Sequence, residues 1–489
     1  MNTKRLMLLF ICIGLFSCQE KKENSFLFTL QVEDPNLEQE YSIHTSSFGT
    51  EAAYSFTLDE NGSYATEVKI DEPKTISLSG NFYKPLYVTP GKSLTVKVKM
   101  DDKTPVFSYE GEGAVYPQIF DQLATLDQKF SDKYEELDHR QYSLDWDTFK
   151  QELDELTEKK RAIVETKTNN LSKDLEIVLD AHLFASKVNE MNLYGSYYNA
   201  YKKEEGEADF SVPGKADFYS QAFAFDAKAL ASAEFSNLIS SYVTSKGIDQ
   251  LGDLGDTPWY SIPDNWSKIY EFTKTNKNIP DAYKAYMLGS YVSSLTMALG
   301  IDGAWDIKED FVKSYPNYNQ VDQINASYEK WEPLRKGNVA PDFEYESLNG
   351  EMVSLISLKG SVVYVDVWAT WCGPCISEFP SYKALKKRLE DAKDVKWLYV
   401  SVDEAKDKEK WVNFLAKNEL DGIQLFGGNG WDTSITEKYQ IRGIPRYLLI
   451  DKDGKIYSSN APRPSSGDII YDEIQKLRGV RLERATSLK

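Results

Sequence analysis

A chain of 489 residues is longer than one hydrophobic core holds, and length as a soft prior gives about three domains. The formal net charge of −19 repels phosphate backbones, which argues against nucleic-acid partners, and it would keep the chain off anionic lipid unless something else holds it there. Hydrophobic residues at 41% suffice for globular packing, while a mean hydropathy of −0.49 excludes a polytopic membrane protein. No internal repeat or long low-complexity run is present, and most of the 31 tyrosines read as packing residues with a wet hydroxyl tip, the alternative being a tyrosine-lined groove for glycans or peptides.

The N-terminus reads as an export signal. Lys4 and Arg5 form a positive start, and Leu6 to Phe16 form an apolar stretch too short to span a bilayer comfortably. It runs into Leu15-Phe16-Ser17-Cys18, which resembles the lipobox of bacterial lipoproteins, although Phe16 is bulkier than the usual residue there. That resemblance implies a signal over 1–18, a lipid on Cys18, and a polar tether over 19–25. The alternative is a plain secretory signal with an incidental cysteine.

Residues 26–111 read as a β-rich domain. Thr66-Glu67-Val68-Lys69-Ile70 and Leu94 to Met100 alternate polar and apolar, with turn signals at Asn61-Gly62 and Pro90-Gly91. An antiparallel β-sandwich fits. The stretch Tyr87 to Val96 resembles a β-rich domain of unknown function that precedes envelope thioredoxin-like domains. Residues 112–333 change to helical spacing, with Ile119, Leu123, Leu126 and Phe130, then Phe149, Leu153 and Leu156. Breaks fall at Thr257-Pro258 and Ile262-Pro263. This predicts an all-α domain, with His139 and His182 as packing or surface residues rather than ligands. From 337 to 489 strands and helices alternate, which predicts an α/β fold with helices on both faces of a sheet. Strands are expected at 362–368, 397–402, 423–426, 447–451 and 455–458, and helices at 408–417, 434–439 and 467–477.

The chemistry is carried by Trp368-Ala369-Thr370-Trp371-Cys372-Gly373-Pro374-Cys375. The chain has four cysteines, of which Cys12 and Cys18 lie in or beside the export signal. A C-x-x-C pair alone is open between zinc and redox chemistry. Zinc needs further Cys or His ligands, and no other cysteine lies in this region and no histidine beyond His182, so no metal is expected. A pair this close closes too small a loop to staple distant elements. An apolar strand followed by C-x-x-C at a helix start instead suits redox chemistry. The helix N-terminus stabilises a thiolate at Cys372, which should be exposed and nucleophilic, while Cys375 one turn on should resolve the mixed disulfide. Asp366 lies inside an apolar strand, where an unpaired charge is costly. Its pKa should be raised, so that it can take and return the proton of Cys375. Gly427-Gly428-Asn429-Gly430 lacks a phosphate-loop lysine and reads as a loop.

With these residues in view, residues 337–485 resemble the thioredoxin superfamily, in the membrane-anchored thiol–disulfide oxidoreductase branch that includes the TlpA and ResA proteins. The resemblance implies a buried carboxylate at Asp366, tryptophans at Trp368 and Trp371, a helix kink at Pro380, and a cysteine-tuning glutamate at Glu378. It also implies a cis-proline loop at Ile444-Pro445, with Trp371 and Ile444 contacting substrate. Arg446 stands where threonine is common, which leaves the substrate contacts there open.

The function implied is thiol–disulfide exchange with protein thiols and disulfides, without a cofactor, in a lipid-anchored envelope protein facing the periplasm or cell surface. Gly373 and Pro374 add no charge to stabilise a thiolate, which points to a reductase or isomerase with a Cys372 pKa of roughly 7 or above. A reductase there needs a membrane thiol relay as electron donor. The alternatives are a peroxiredoxin-like peroxidase, whose cysteine needs a different local setting, and a binding or scaffold lipoprotein whose thioredoxin-like domain is only a fold.

Overall fold

A computed structural model of the protein describes residues 24–33, 36, 38–45, 54–70, 72–101, 104–167, 171–202, 210–254, 259–418 and 420–480. The export signal, Cys18, nearly all of the tether and the Thr257-Pro258 break lie outside them. The chain divides into two compact units, Met1–Ile239 and Ser240–Lys489. The division falls inside the helical region rather than at its end.

The first unit opens with β1 (Ser25–Val32), β2 (Tyr41–His44), β3 (Tyr54–Phe56), β4 (Ser63–Lys69), β5 (Lys74–Ser79), β6 (Tyr83–Val88), β7 (Ser93–Asp101) and β8 (Thr104–Glu110). They form two four-stranded sheets, ordered β4-β1-β7-β8 and β3-β2-β5-β6. Alternate side chains from both sheets, among them Phe28, Leu30 and Val96 from one and Ile43, Leu78 and Leu86 from the other, share one apolar cluster. The expectation of purely antiparallel pairing needs one correction: β1 and β7 run parallel. Parallel neighbours need a long crossover, and the whole β2–β6 segment supplies it.

The helices α1 (Val115–Asp132), α2 (Trp146–Lys167), α3 (Lys173–Lys202), α4 (Lys215–Ala222) and α5 (Ala233–Ile248) follow, with α5 running across the point of division. Ile119 and Leu123 pack with Val164, Leu175 and Leu179, and Phe149, Leu153 and Tyr194 form a second cluster. The helical spacing read from the sequence is the spacing of these buried faces. His182 packs edge-on against Phe120, with ring centroids 5.1 Å apart.

The second unit continues with α6 (Pro263–Thr275), α7 (Asp281–Ser314) and α8 (Val321–Trp331). Pro263 sits in the first turn of α6, where its missing N–H costs nothing. α7 is broken at Gly300, whose φ of 71° is open to glycine and strained for other residues. Next come β9 (Glu344–Ser347), β10 (Met352–Ser354), β11 (Val362–Trp368), α9 (Gly373–Ser377), α10 (Phe379–Arg388), β12 (Val395–Glu404), α11 (Lys408–Asn418), β13 (Ile423–Gly428), α12 (Ser434–Lys438), β14 (Arg446–Ile450), β15 (Ile456–Ser458) and α13 (Asp468–Arg478). The strands form one seven-stranded sheet, ordered β10-β9-β13-β12-β11-β14-β15. β11, β12 and β13 are parallel, and β14 lies antiparallel to β11. All seven residues of β11 are buried, as a continuous apolar run in an inner strand requires. The β9–β10 hairpin was not anticipated.

Candidate active site

β11 ends at Trp368, and the chain turns through Ala369-Thr370-Trp371 into α9. Cys372 caps α9 from outside its first turn, its Sγ accepting from the Cys375 N–H at 3.2 Å. The two cysteines are joined as a disulfide with Cα atoms 5.3 Å apart. In this form Cys372 is only 4% exposed and Cys375 not at all. The expectation of an exposed Cys372 is therefore corrected: bonded to Cys375, it presents little more than an edge to solvent. The neighbouring Trp371 is 52% exposed. The helix is interrupted at Glu378, between α9 and α10. Pro380 lies in the first turn of α10, where it has no N–H to offer the ladder.

The turn before Cys372 is held from below. Asp403, fully buried on β12, accepts from the Thr370 N–H at 2.9 Å and from Thr370 Oγ1 at 2.7 Å. Ser401 Oγ donates to the same carboxylate at 2.6 Å. Sequence reasoning missed this carboxylate, although a charged residue at the end of the apolar run Val400-Ser401-Val402-Asp403 is the same kind of signal that marked Asp366.

Asp366 shares a face of β11 with Tyr364 and Trp368, and α10 covers that face: Tyr382 lies 5.6 Å from Tyr364 and Phe379 5.5 Å from Trp368, centroid to centroid. Asp366 is 0% exposed, and neither carboxylate oxygen has a hydrogen-bond partner among the described residues. Burial, reinforced by the charge of Glu378, pushes its pKa well above the usual carboxylate range. Four buried phenols, Tyr364, Tyr382, Tyr399 and Tyr447, are linked in a chain of ring contacts of 4.8 to 5.6 Å on this side of the sheet. Tyr447 pairs with Asp366 across the β11–β14 register.

Glu378 is buried and accepts from the N–H and Oγ of Ser465, at 2.9 and 2.8 Å, with Arg463 Nη1 3.9 Å away. It faces a specific pair of donors rather than open solvent. The Ile444–Pro445 peptide bond is cis. Arg446 is opposite Val367 in the register, which sets Pro445 level with the end of β11 that leads to the cysteines. Ile444 and Pro445 are partly buried. Arg446 turns away into the interior, where Nη2 donates to the carbonyl of Met297 on α7 at 2.9 Å. Burial and the nearby Arg463 lower its pKa to about 10, still charged at neutral pH.

A disulfide at the start of a helix, fed by a buried parallel strand that carries a carboxylate and flanked by a cis-proline loop, defines a thioredoxin-like protein of thiol–disulfide exchange. The Redoxin family profile matches residues 335–471. The chain is 31% identical over 132 residues to the thiol-disulfide oxidoreductase ResA of Bacillus subtilis, covering 27% of this chain and 70% of that protein. It is 32% identical over 130 residues to the thiol:disulfide interchange protein DsbE of Vibrio cholerae, covering 26% and 65%. Among solved structures, the thioredoxin domain of a thiol-disulfide oxidoreductase from Bacteroides vulgatus is 30% identical, covering 29% of this chain and 97% of that one, with a TM-score of 0.26. Through its C-terminal region the chain belongs to the ResA-like thiol–disulfide oxidoreductases, and it is an enzyme of that class.

Proposed function

We propose that the chain is a lipid-anchored envelope protein that reduces or isomerises disulfides in other proteins. The observation that carries this is the Cys372–Cys375 pair at the head of α9, with Asp366 buried on the strand that feeds it. In the reducing direction the Cys372 thiolate attacks one sulfur of a substrate disulfide. A mixed disulfide forms, and the departing substrate thiolate takes a proton from water. In the molecules in which Asp366 has given its own proton to solvent, its carboxylate takes the proton of the Cys375 thiol, the Cys375 thiolate attacks Cys372 Sγ, and the second substrate thiolate leaves and takes a proton from water. Two electrons pass to the substrate, and Cys372 and Cys375 end as the disulfide. Asp366 returns its proton when the pair is reduced again by an external dithiol, for which a membrane thiol relay is the donor class.

Residues 1–18 serve in this reading as the signal, with lipid on Cys18, 19–25 as the tether, 26–111 and 112–333 as β-rich and helical modules, and 337–489 as the catalytic domain. Among the described residues no helix is long and apolar enough to cross a membrane. The reducing direction is supported by the uncharged Gly373-Pro374 between the cysteines, since a strongly oxidising pair needs extra thiolate stabilisation. Glu378 and Asp366 act against such stabilisation.

Two measurements test the reading. Cys375→Ser should accumulate mixed disulfides through Cys372, and Cys372→Ser should accumulate none. The potential of the pair, equilibrated against glutathione, should lie well below that of strong oxidants, and a value close to about −120 mV would reverse the assigned direction.

A further inference from the structure

The Gly-rich segment that the sequence left as a plain loop carries a second exposed indole to the active site. Trp431 is 40% exposed, and its ring centroid lies 6.3 Å from that of Trp371, at 58°. The loop that presents it is fixed on every side. A Cβ at Gly427 would meet the Ser401 carbonyl oxygen at 2.6 Å, so the end of β13 lies against β12 where only glycine fits. Gly428 and Gly430 take positive φ, at 75° and 57°. Asn429 bridges Glu404, accepts from the Asp432 N–H at 3.0 Å, and donates from Nδ2 to the Asp432 carbonyl at 3.0 Å. The Trp431 carbonyl accepts from the buried Thr436 Oγ1 at 2.6 Å. The backbone is thus immobilised while the indole stays in water.

Single exposed apolar side chains are ordinary, but two adjacent tryptophans beside a reacting sulfur form a patch of the kind that marks an interface. The rings touch at an angle, so nothing inserts between them, and together they make a ledge. Trp371 directly precedes Cys372, which any disulfide substrate must touch. Glu404, which borders the loop, is paired with Lys406.

We propose that Trp371 and Trp431 form the landing surface for an extended polypeptide substrate, and that Trp431 selects an apolar side chain next to the reacting cysteine. This rests on the reading of the chain as a disulfide reductase.

The test uses the reduced full chain in single turnovers against two peptide disulfides that differ only in leucine or serine beside the cysteine. The wild type should reduce the leucine peptide about tenfold faster, the scale of one interface tryptophan. Trp431→Ala and Trp431→Gln should each bring the ratio of the two rates near one, and Trp431→Phe should keep most of the preference. Unchanged thermal unfolding of these variants would assign the effect to the ring rather than to the fold. A wild type without preference, or a ratio that survives both Trp431→Ala and Trp431→Gln, overturns the inference and leaves the reductase reading intact. A wild type that reduces neither peptide overturns both.

Discussion

Arg446 reaches from the residue after the cis-proline to the carbonyl of Met297, 149 positions earlier in the chain, at 2.9 Å. Met297 lies in the last turn of α7 before the break at Gly300. Helices end with carbonyls that have no partner within the helix and with a partial negative charge, and a buried guanidinium answers both needs. Asn460 Nδ2 does the same for the next carbonyl, that of Ala298, at 2.7 Å. The active-site loop and the helical segment of the second unit are therefore fastened to each other by polar contacts as well as by their shared apolar cluster.

Arg446→Ala should lower the stability of the full chain by about 1–3 kcal/mol, because it leaves the Met297 carbonyl without its donor. Arg446→Lys, which keeps charge without the planar fork, should fall between wild type and Arg446→Ala. The urea midpoint of the second unit's transition reads the difference, and an unchanged midpoint would deny the contact any structural weight.

Asp366 makes stability depend on pH in a defined direction. Below about pH 4 both the folded and the unfolded chain hold its proton. Above that the unfolded carboxyl ionises, while the folded one, held neutral by burial and by the Glu378 charge, keeps its proton. The folded state then binds more protons than the unfolded, so stability falls as pH rises until the folded pKa is passed. Asp366→Asn should stabilise the chain at pH 8, with the gain shrinking toward pH 4, while slowing release of the mixed disulfide by Cys375. Denaturation curves across that range check the first part and rapid-quench trapping the second.

Removing the support beneath the cysteine turn should have a local and a global effect. Asp403→Ala leaves the Thr370 N–H buried without its acceptor, at a cost of about 1–3 kcal/mol. Amide hydrogen exchange over residues 369–372 should quicken more than exchange in α13. Equal exchange in both places would contradict a local role.

His182 titrates in the opposite sense to Asp366. Burial against Phe120, with a smaller contribution from the charge of Lys160, lowers its pKa to about 4. Unfolded histidine takes a proton near pH 6.5, so the first unit should lose stability as pH falls from about 6.5 to about 4. His182→Gln should flatten this slope, read from midpoints in far-ultraviolet circular dichroism.

What the sequence made legible was local. The cysteine pair, the strand before it and Asp366 lie within fourteen residues, and each carries its own signal: spacing, a continuous apolar run, a charge where charge is costly. The helical faces of 112–333 were legible for the same reason, since periodicity is a property of neighbours. What stayed hidden needed two distant segments at once. Nothing in Ser25–Val32 announces a parallel partner at Ser93–Asp101, because register depends on the whole crossover between them. Trp431 was hidden in a glycine-rich run whose shape follows from its contact with Ser401. Arg446 was visible as an oddity after the proline, but its purpose lies on α7, which no motif connects to it.

The parallel pairing of β1 and β7 has a mechanical side. β1 begins at Ser25, the last residue of the proposed tether, and it is an inner strand, zipped along its length to β4 over seven residue pairs and to β7 over six. A pull on the tether loads β1 along its own axis. To yield, the strand must slide past both neighbours together, breaking two rows of backbone bonds at once, whereas an edge strand pulled sideways peels one bond at a time. With the lipid anchor proposed above, thermal tugging on the tether would be borne in shear by two ladders in parallel, the sheet acting as the fitting that holds the rope.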